Sequence, residues 1–310
     1  MPLLYNGDRL HVPTSTKEFF RHYPHLKEGA HSLKSKPACK VDPKGLLYVQ
    51  QREFAATSPR EDGSVTVIGS DDATTCHLVV LRHTGNGATC LGHCDGSDTA
   101  NEVAMMITAM KSLSAGCDHG RFELHLVGGF IDQRWLSHRL TLQLLETFNN
   151  QSENIHLITC CVTELNDVVK KLHHCPAIYG IAVDVKTGEI FHATFPEKGP
   201  DEDIRSARSF MGGPMLSIYD AKMQQMQIGP YEWTHFPDAE FWLQQSDAVI
   251  LQNMSTSPLV EPPHFVKHIK STLQFLNDHP VPDDSLFPNG RSRIYKKNAQ
   301  GLWERIDGLA

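Results

Sequence analysis

Short apolar runs rich in β-branched residues recur along the chain after Gly45. Four of them, at residues 46–50, 65–69, 77–81 and 88–92, are separated by Gly, Asn, Asp and Ser. Apolar runs of this length between turn-forming residues are typical of β-strands. We therefore predict four successive strands in this part of the chain.

The hydrophobic period changes after residue 97, where apolar side chains begin to recur at helical spacing. The recurring residues are Val103, Met106, Ile107 and Met110. Ser97 and Asp98 precede them, and side chains of this kind cap the free amides of a first helical turn. The pattern predicts a helix of about four turns.

Strand-like runs and helical spacings of apolar residues both recur in the rest of the chain. Further helices are predicted at residues 16–26, 133–148, 201–210 and 263–276, strands at 124–128 and 156–162, and hairpins at 177–195 and 293–306. Because strands and helices do not alternate strictly, the pattern favours an α+β fold with mixed and antiparallel sheets flanked by helices. No low-complexity linker divides the sequence, so we predict a single domain over residues 1–310.

Composition and charge exclude several classes of function. Of the 310 residues, 40% are hydrophobic and 21% charged, which is typical of soluble globular proteins. Asp and Glu (36) outnumber Lys and Arg (29), so no excess positive charge attracts nucleic acid. The apolar runs are too short to cross a bilayer, and the first residues lack the pattern of a secretory signal. We expect no nucleic-acid or membrane partner, and a location in the cytoplasm or also the nucleus.

Polar residues and a cysteine interrupt the strand pattern within residues 65–97, the predicted catalytic segment. Cys76 opens one predicted strand, and His93 closes the next, seventeen positions later. The start of one hairpin strand lies beside the end of its neighbour, so Cys76 and His93 can meet. An imidazole beside a thiol can generate the thiolate nucleophile of a hydrolase. Ser70, just after the preceding strand, is the candidate for orienting that imidazole.

The other cysteines suggest no second site. The eight cysteines are spaced irregularly, and we expect free thiols in a reducing compartment. Free cysteine is most often a small buried apolar residue. We keep that interpretation for Cys160 and Cys161, which lie within an apolar run.

A resemblance to a known family extends this interpretation. The segments that carry it are GSDDATTCHLVVLRHTGNGATCLGHCDG, HLVGGF, YGIAVDVKTGEI, GGPMLSIYDA and STSPLVEPPHFV. They resemble the protein N-terminal asparagine amidohydrolases, and the similarity extends over nearly the whole chain. More distantly, the spacing of Ser70, Cys76 and His93 resembles that of bacterial chemoreceptor glutamine deamidases and deamidating necrotising toxins. Many of those proteins have Thr in place of Ser70.

The resemblance implies a fold, an activity and a biological role. The fold would be a layered α-β-β-α sandwich. The activity would be hydrolysis of the side-chain amide of an N-terminal asparagine, giving aspartate and ammonia without a cofactor or metal. Cys76 would attack the amide carbon and form a thioester, and the product would enter the ubiquitin-dependent pathway that degrades proteins according to their first residue. We expect a monomer that acts on peptides and proteins with a free N-terminal Asn.

Selection of an N-terminal residue requires an anionic partner for the α-ammonium group. Asp71, Asp72 and Asp95 lie nearest along the chain to the catalytic residues and are candidate substrate ligands. Thr75 belongs to the turn before the cysteine, whose backbone amides can stabilise an oxyanion. Pro2 becomes the first residue if the initiator methionine is removed, and it is a further candidate for contact with the site.

Two other classes of function remain open from the sequence. Cys90, His93 and Cys94, with Cys76 or His77, offer sulfur and imidazole ligands for a structural zinc site, although their spacing lacks a paired four-ligand signature. Alternatively, the chain binds protein N-termini without turning them over. Unfolding by a chelator would favour the zinc site, whereas an Asn peptide that is bound but left unchanged would favour the noncatalytic binder.

Overall fold

The structure is a computed structural model that describes residues 3–61 and 63–306. Its helices are α1 (Thr16–His22), α2 (Leu26–Ser35), α3 (Thr99–Ser114), α4 (Leu136–Asn149), α5 (Glu202–Phe210), α6 (Ala239–Leu243), α7 (Asp247–Met254) and α8 (Phe265–Asp278). Its strands are β1 (Leu3–Tyr5), β2 (Asp8–Arg9), β3 (Cys39–Lys40), β4 (Leu46–Tyr48), β5 (Glu53–Thr57), β6 (Val67–Ser70), β7 (His77–His83), β8 (Thr89–Cys94), β9 (Phe122–Gly128), β10 (Ile155–Val162), β11 (Asp167–Lys170), β12 (His173–Pro176), β13 (Ile181–Asp184), β14 (Ile190–Thr194), β15 (Leu216–Ser217), β16 (Tyr219–Asp220), β17 (Gln225–Ile228), β18 (Arg293–Lys297) and β19 (Trp303–Arg305).

The strands form mixed sheets. The largest sheet of the described chain has eight strands in the order β15-β5-β8-β7-β9-β10-β1-β2, and the next has five in the order β3-β14-β13-β6-β4. Strand β7 is antiparallel to β8 and β9, whereas β10 runs parallel to both of its neighbours, β9 and β1. Strands β16 to β19 form a smaller antiparallel sheet. The predicted α+β fold with mixed and antiparallel sheets is confirmed.

The two faces of the eight-stranded sheet pack against different layers, because alternate side chains of a strand point to opposite sides. One face meets helices α3 and α4 in an apolar cluster that includes Val79, Leu81, Met106 and Leu144. The other face meets the five-stranded sheet in a cluster that includes Leu78, Val80, Leu91, Leu47, Ile68 and Ile181. Burial of each such side chain contributes about 1.5 to 3 kcal/mol, so both layers are firmly attached.

A buried ion pair holds the start of β5 against α5. The Arg205 guanidinium donates to both carboxylate oxygens of Glu53, at 3.0 and 2.7 Å, and both side chains are fully buried. Arg205 also donates to the Tyr48 carbonyl oxygen at 2.7 Å, and Glu53 accepts from the Gln50 backbone amide at 2.8 Å. Loss of one partner of such a pair costs about 3 to 5 kcal/mol, because it leaves a buried charge unpaired. The pair therefore fixes the corner between β4 and β5.

Most predicted elements are confirmed, including α3, α4, α5, α8 and the hairpin of β13 and β14. The helix predicted at residues 16–26 is instead two helices, α1 and α2, with the break at Tyr23 and Pro24. Proline disfavours helical backbone at the residue before it, which explains the break at Tyr23. Within the described ranges, no helix has the length and apolar character needed to span a bilayer.

Candidate functional site

Cys76 and His93 share one face of the eight-stranded sheet. The register of β7 and β8 places Leu78 opposite His93, and Cys76 directly precedes β7. Side chains two positions apart on a strand point to the same side, so Cys76 lies on the His93 face. Both residues line a cleft of about 650 Å³, and the thiol is partly exposed there.

Ser70 reaches the imidazole from the other sheet. It ends β6, and its Oγ lies 2.8 Å from His93 Nδ1, so this hydrogen bond joins the two sheets. The His93 ring is only 3% exposed. Its Nε2 is buried and has no hydrogen-bond partner, Cys76 included, among the described residues. The three predicted residues therefore converge, with one ring nitrogen held and the other available.

The thiol and the imidazole are both neutral at pH 7. Burial lowers the pKa of His93 to about 4. Burial, and then the negative charges of Asp95 and Glu261, raise the pKa of Cys76 well above its usual value. A preformed thiolate–imidazolium pair is therefore disfavoured in the free protein. Nucleophilic attack in this cleft requires transfer of the thiol proton as substrate reacts.

The turn before Cys76 is anchored from two directions. Gly129 N donates to the Cys76 carbonyl oxygen at 3.0 Å, and Ala73 N donates to the Tyr179 carbonyl oxygen at 3.0 Å. Gly128 has a φ of +137°, and a Cβ there would lie 2.4 Å from the Cys76 oxygen. Only glycine permits this approach, so the Gly128-Gly129 pair is part of the support of the cysteine.

Thr75 and Asp71 are tied to other parts of the chain. Thr75 Oγ1 lies 3.3 Å from Thr256 Oγ1, in the loop before α8. Asp71 is buried, accepts a hydrogen bond from the Tyr48 hydroxyl at 2.6 Å, and lies 3.2 Å from Lys198 Nζ. These contacts connect the segment before Cys76 to three distant segments.

Asp72 and Asp95 both line the cleft and both are paired with cations. Asp72 adopts left-handed backbone with a φ of +59°, binds Lys198, and accepts from His264 Nε2 at 2.9 Å. Asp95 accepts from Arg52 Nε at 2.6 Å. Burial raises the pKa of Asp95, but hydrogen bonds from the backbone at residue 97 and from Arg52 outweigh it and lower the pKa to about 2. Both carboxylates are ionised, and each already forms an ion pair with a basic side chain.

Comparison with known proteins shows the family of the chain. A family model described as protein N-terminal asparagine amidohydrolase matches residues 36–305. The chain belongs to this family. A relative of that name from Sus scrofa is 58% identical over 306 residues, 99% of this chain and 98% of the relative. The relative from Homo sapiens is 57% identical over the same shares, and one from Arabidopsis thaliana is 30% identical over 286 residues, 84% of this chain and 80% of the relative.

Membership of the N-terminal asparagine amidohydrolase family confirms the resemblance seen in the sequence. Pro2, the remaining candidate residue, lies outside the described residues. The ligands of the zinc alternative lie on opposite faces of the sheet, since Cys90 and Cys94 pack in the helix-facing cluster whereas His93 faces Ser70. Within the described ranges, no group of three or more His, Cys, Asp or Glu residues is placed to hold a metal ion.

Several cleft residues of this amidohydrolase family member could not be found from strand spacing. They are Arg52, Lys198, His264 and Glu261. Glu261 accepts a hydrogen bond from the Ser255 hydroxyl, and burial raises its pKa to about 7. The only sequence signal for Glu261 is its position in the segment STSPLVEPPHFV, which carries the family resemblance.

Proposed function

We propose that this chain hydrolyses the side-chain amide of an N-terminal asparagine to aspartate and ammonia, with Cys76 as the nucleophile. The observation that carries the proposal is that Cys76 and His93 line one cleft, with His93 held by Ser70, in a member of this family. Substrates are peptides and proteins with a free N-terminal Asn. No cofactor or metal takes part in the reaction.

In the first half-reaction, His93 Nε2 takes the proton of the Cys76 thiol while the sulfur attacks the amide carbon of the substrate. Ser70 holds Nδ1 and so keeps Nε2 directed at the reacting atoms. Backbone amides of the turn through Thr75 stabilise the oxyanion, and each such donor typically contributes about 3 to 4 kcal/mol. His93 then returns its proton to the amide nitrogen, the C–N bond breaks and ammonia leaves.

In the second half-reaction, water hydrolyses the thioester between Cys76 and the substrate. His93 takes a proton from the water as its oxygen attacks the thioester carbon. The C–S bond breaks, the proton returns to sulfur, and the peptide leaves with an N-terminal aspartate. Cys76 and His93 thus return to the protonation states in which they began.

The product fits a role in ubiquitin-dependent degradation governed by the first residue of a protein. Conversion of Asn to Asp introduces a negative charge at the N-terminus and therefore changes which receptors can bind it. The activity belongs in the cytoplasm or the nucleus, where cysteine thiols remain reduced. A monomer is sufficient for the activity, since all the proposed catalytic residues come from one chain, and we propose that the protein acts as one.

Ammonia release from three matched peptides, beginning with Asn, Gln and acetyl-Asn, tests the proposal. We expect turnover of the first peptide only, with a mass increase of about 1 Da, and no turnover by Cys76→Ala. An Asn peptide that binds tightly but keeps its mass would instead support the noncatalytic binder. Turnover by the Cys76→Ala protein would exclude Cys76 as the nucleophile.

A further inference from the structure

An enzyme that acts only at a free N-terminus must detect the α-ammonium group. With an unperturbed pKa of about 7.7 to 8.0, that group is mostly charged at neutral pH. In asparagine it lies within about three bond lengths of the carbon that the thiolate attacks. Its partner is therefore expected to be an anionic group close to Cys76.

Most acidic residues of the cleft are already paired with a basic group. Asp71 and Asp72 share Lys198, Asp72 also binds His264, and Asp95 binds Arg52. Glu202 lies 3.8 Å from His268. An additional cation at these sites would compete with a bound one, so each is a weak candidate for the ammonium.

Glu261 differs from these residues. It lines the cleft, is partly buried, and among the described residues has no Lys, Arg or His within ion-pair distance. The hydrogen bond from the Ser255 hydroxyl engages Oε1. The second oxygen of Glu261 thus has no basic partner among the described residues, and a bound ammonium favours the ionised form of this carboxyl group, whose pKa burial raises to about 7.

The loop that carries Glu261 is fixed beside the nucleophile. Thr256 in this loop contacts Thr75, the residue before Cys76. Glu261 interacts electrostatically with both the Cys76 thiol and Asp72. Glu261 therefore shares the cleft with the thiol and is close enough to interact with it, as a partner of the substrate amine must be when the carboxamide is at the sulfur.

We propose that Glu261 binds the α-ammonium group of the substrate and thereby restricts the enzyme to free N-termini. This inference rests on the proposed function and adds its specificity-determining residue.

The test compares two peptides that differ only at the first residue. One begins with Asn, and the other begins with a succinamoyl group, which is Asn without its α-amine. We expect wild type to prefer the first by about 100-fold in kcat/KM for ammonia release, the scale of losing one partner of a buried charge pair. In Glu261→Gln the preference should fall to within about threefold, because only the amine-bearing peptide loses its partner.

Two further variants serve as controls. Glu261→Asp keeps the charge and should recover part of the preference. Glu197→Gln removes an equal charge from an exposed residue that does not line the cleft, and it should keep the wild-type preference. Because the preference is a ratio within one protein preparation, partial loss of folded enzyme cancels. A full preference in Glu261→Gln would overturn the inference.

Binding separates this inference from the proposed function. In the Cys76→Ala protein, calorimetric affinity for the Asn peptide should fall about 100-fold when Glu261→Gln is added, with little change for the succinamoyl peptide. Equal affinities of the two proteins for the Asn peptide would reject the role of Glu261 even if wild type is active. If wild type does not turn over the Asn peptide, but binding of this peptide still depends on Glu261, only the proposed amidase activity would be rejected.

Discussion

The two faces of the β7–β8 hairpin carry the same residue types in different surroundings. On the helix-facing side, His77 and Cys94 are fully buried, and His77 Nε2 lies 2.6 Å from the Thr141 hydroxyl. On the other side, Cys76 is partly exposed in the cleft, and His93 is held by Ser70. One step along the strand therefore separates residues that pack against helices from residues that line the cleft. On the proposed function, access to the cleft rather than residue type decides which thiol acts.

Replacement of each of the two cysteines by alanine should give the largest difference in activity between the two faces. We expect Cys76→Ala to lower kcat by at least about 10⁴-fold without a change in fold, because the nucleophile is lost. Cys94→Ala should keep kcat within about threefold and lower the free energy of unfolding by about 1 to 2 kcal/mol, because it leaves a small cavity. Ammonia release and urea denaturation measure the two effects. Equal kinetic losses in both variants would remove the distinction between the faces.

Replacement of the two histidines should give the next largest contrast. His93→Gln should lower kcat/KM by about 10² to 10⁴-fold, because the proton acceptor for the thiol is lost. His77→Gln should stay within about tenfold of wild type but lose about 1 to 3 kcal/mol of stability through its hydrogen bond to Thr141. Steady-state kinetics at pH 7 provide the test. A larger kinetic loss in His77→Gln than in His93→Gln would contradict the assigned roles.

Ser70 should have a smaller effect, since it acts through the imidazole rather than on substrate. Ser70→Ala should lower kcat by about 10- to 100-fold, because His93 loses the partner that holds Nδ1. Ser70→Thr keeps the hydroxyl and should recover most of the rate. Comparison of kcat in these variants is the measurement, with KM expected to change little. If Ser70→Thr is no better than Ser70→Ala, the hydroxyl is not what matters.

The histidines of the two faces should make the same contribution to the pH dependence of stability, and this is the smallest expected effect. Burial lowers the pKa of both His77 and His93 to about 4, below the value of about 6.5 in an unfolded chain. Between these values the unfolded state binds a proton that the folded state does not. The stability from each neutral histidine is therefore full above about pH 6.5 and declines as the pH falls towards 4, by up to about 1.4 kcal/mol per pH unit.

Urea unfolding at pH 7 and pH 5 can isolate this contribution. His77→Gln and His93→Gln should each lose less stability than wild type between the two values. Glu102 and Glu261 have pKa values raised to about 7 by burial and oppose the histidines in the same range. The comparison between each variant and wild type removes that shared contribution. A variant with the wild-type pH dependence would show that its histidine is not held neutral.

Local patterns in the sequence were sufficient to predict the cleft-facing side of the β7–β8 hairpin. Strand alternation and a hairpin predict that Cys76 and His93 meet, and the strand containing residues 65–69 brings Ser70 close. The pairing of β6 with β13, which places Ser70 in the five-stranded sheet, is a long-range feature that no local pattern encodes. Strand β5 was not predicted, because its buried Glu53 is balanced only by Arg205, far along the chain.

Other residues of the cleft were harder to find for the same reason. Lys198, Glu261 and His264 lie in connecting segments without periodic hydrophobicity, and they reach the cleft through tertiary packing. Spacing along the chain favoured Asp71, Asp72 and Asp95 as ligands for the substrate amine. The structure pairs each with a cation, which a sequence cannot reveal.

Hydroxylamine trapping tests the central claim, a thioester on Cys76, most directly. Hydroxylamine added during turnover competes with water for the thioester, so the Asn peptide should yield an N-terminal aspartyl β-hydroxamate as well as aspartate. Mass spectrometry should detect this product with wild type and not with Cys76→Ala. Aspartate as the sole product of wild type, or hydroxamate formed by Cys76→Ala, would contradict the account.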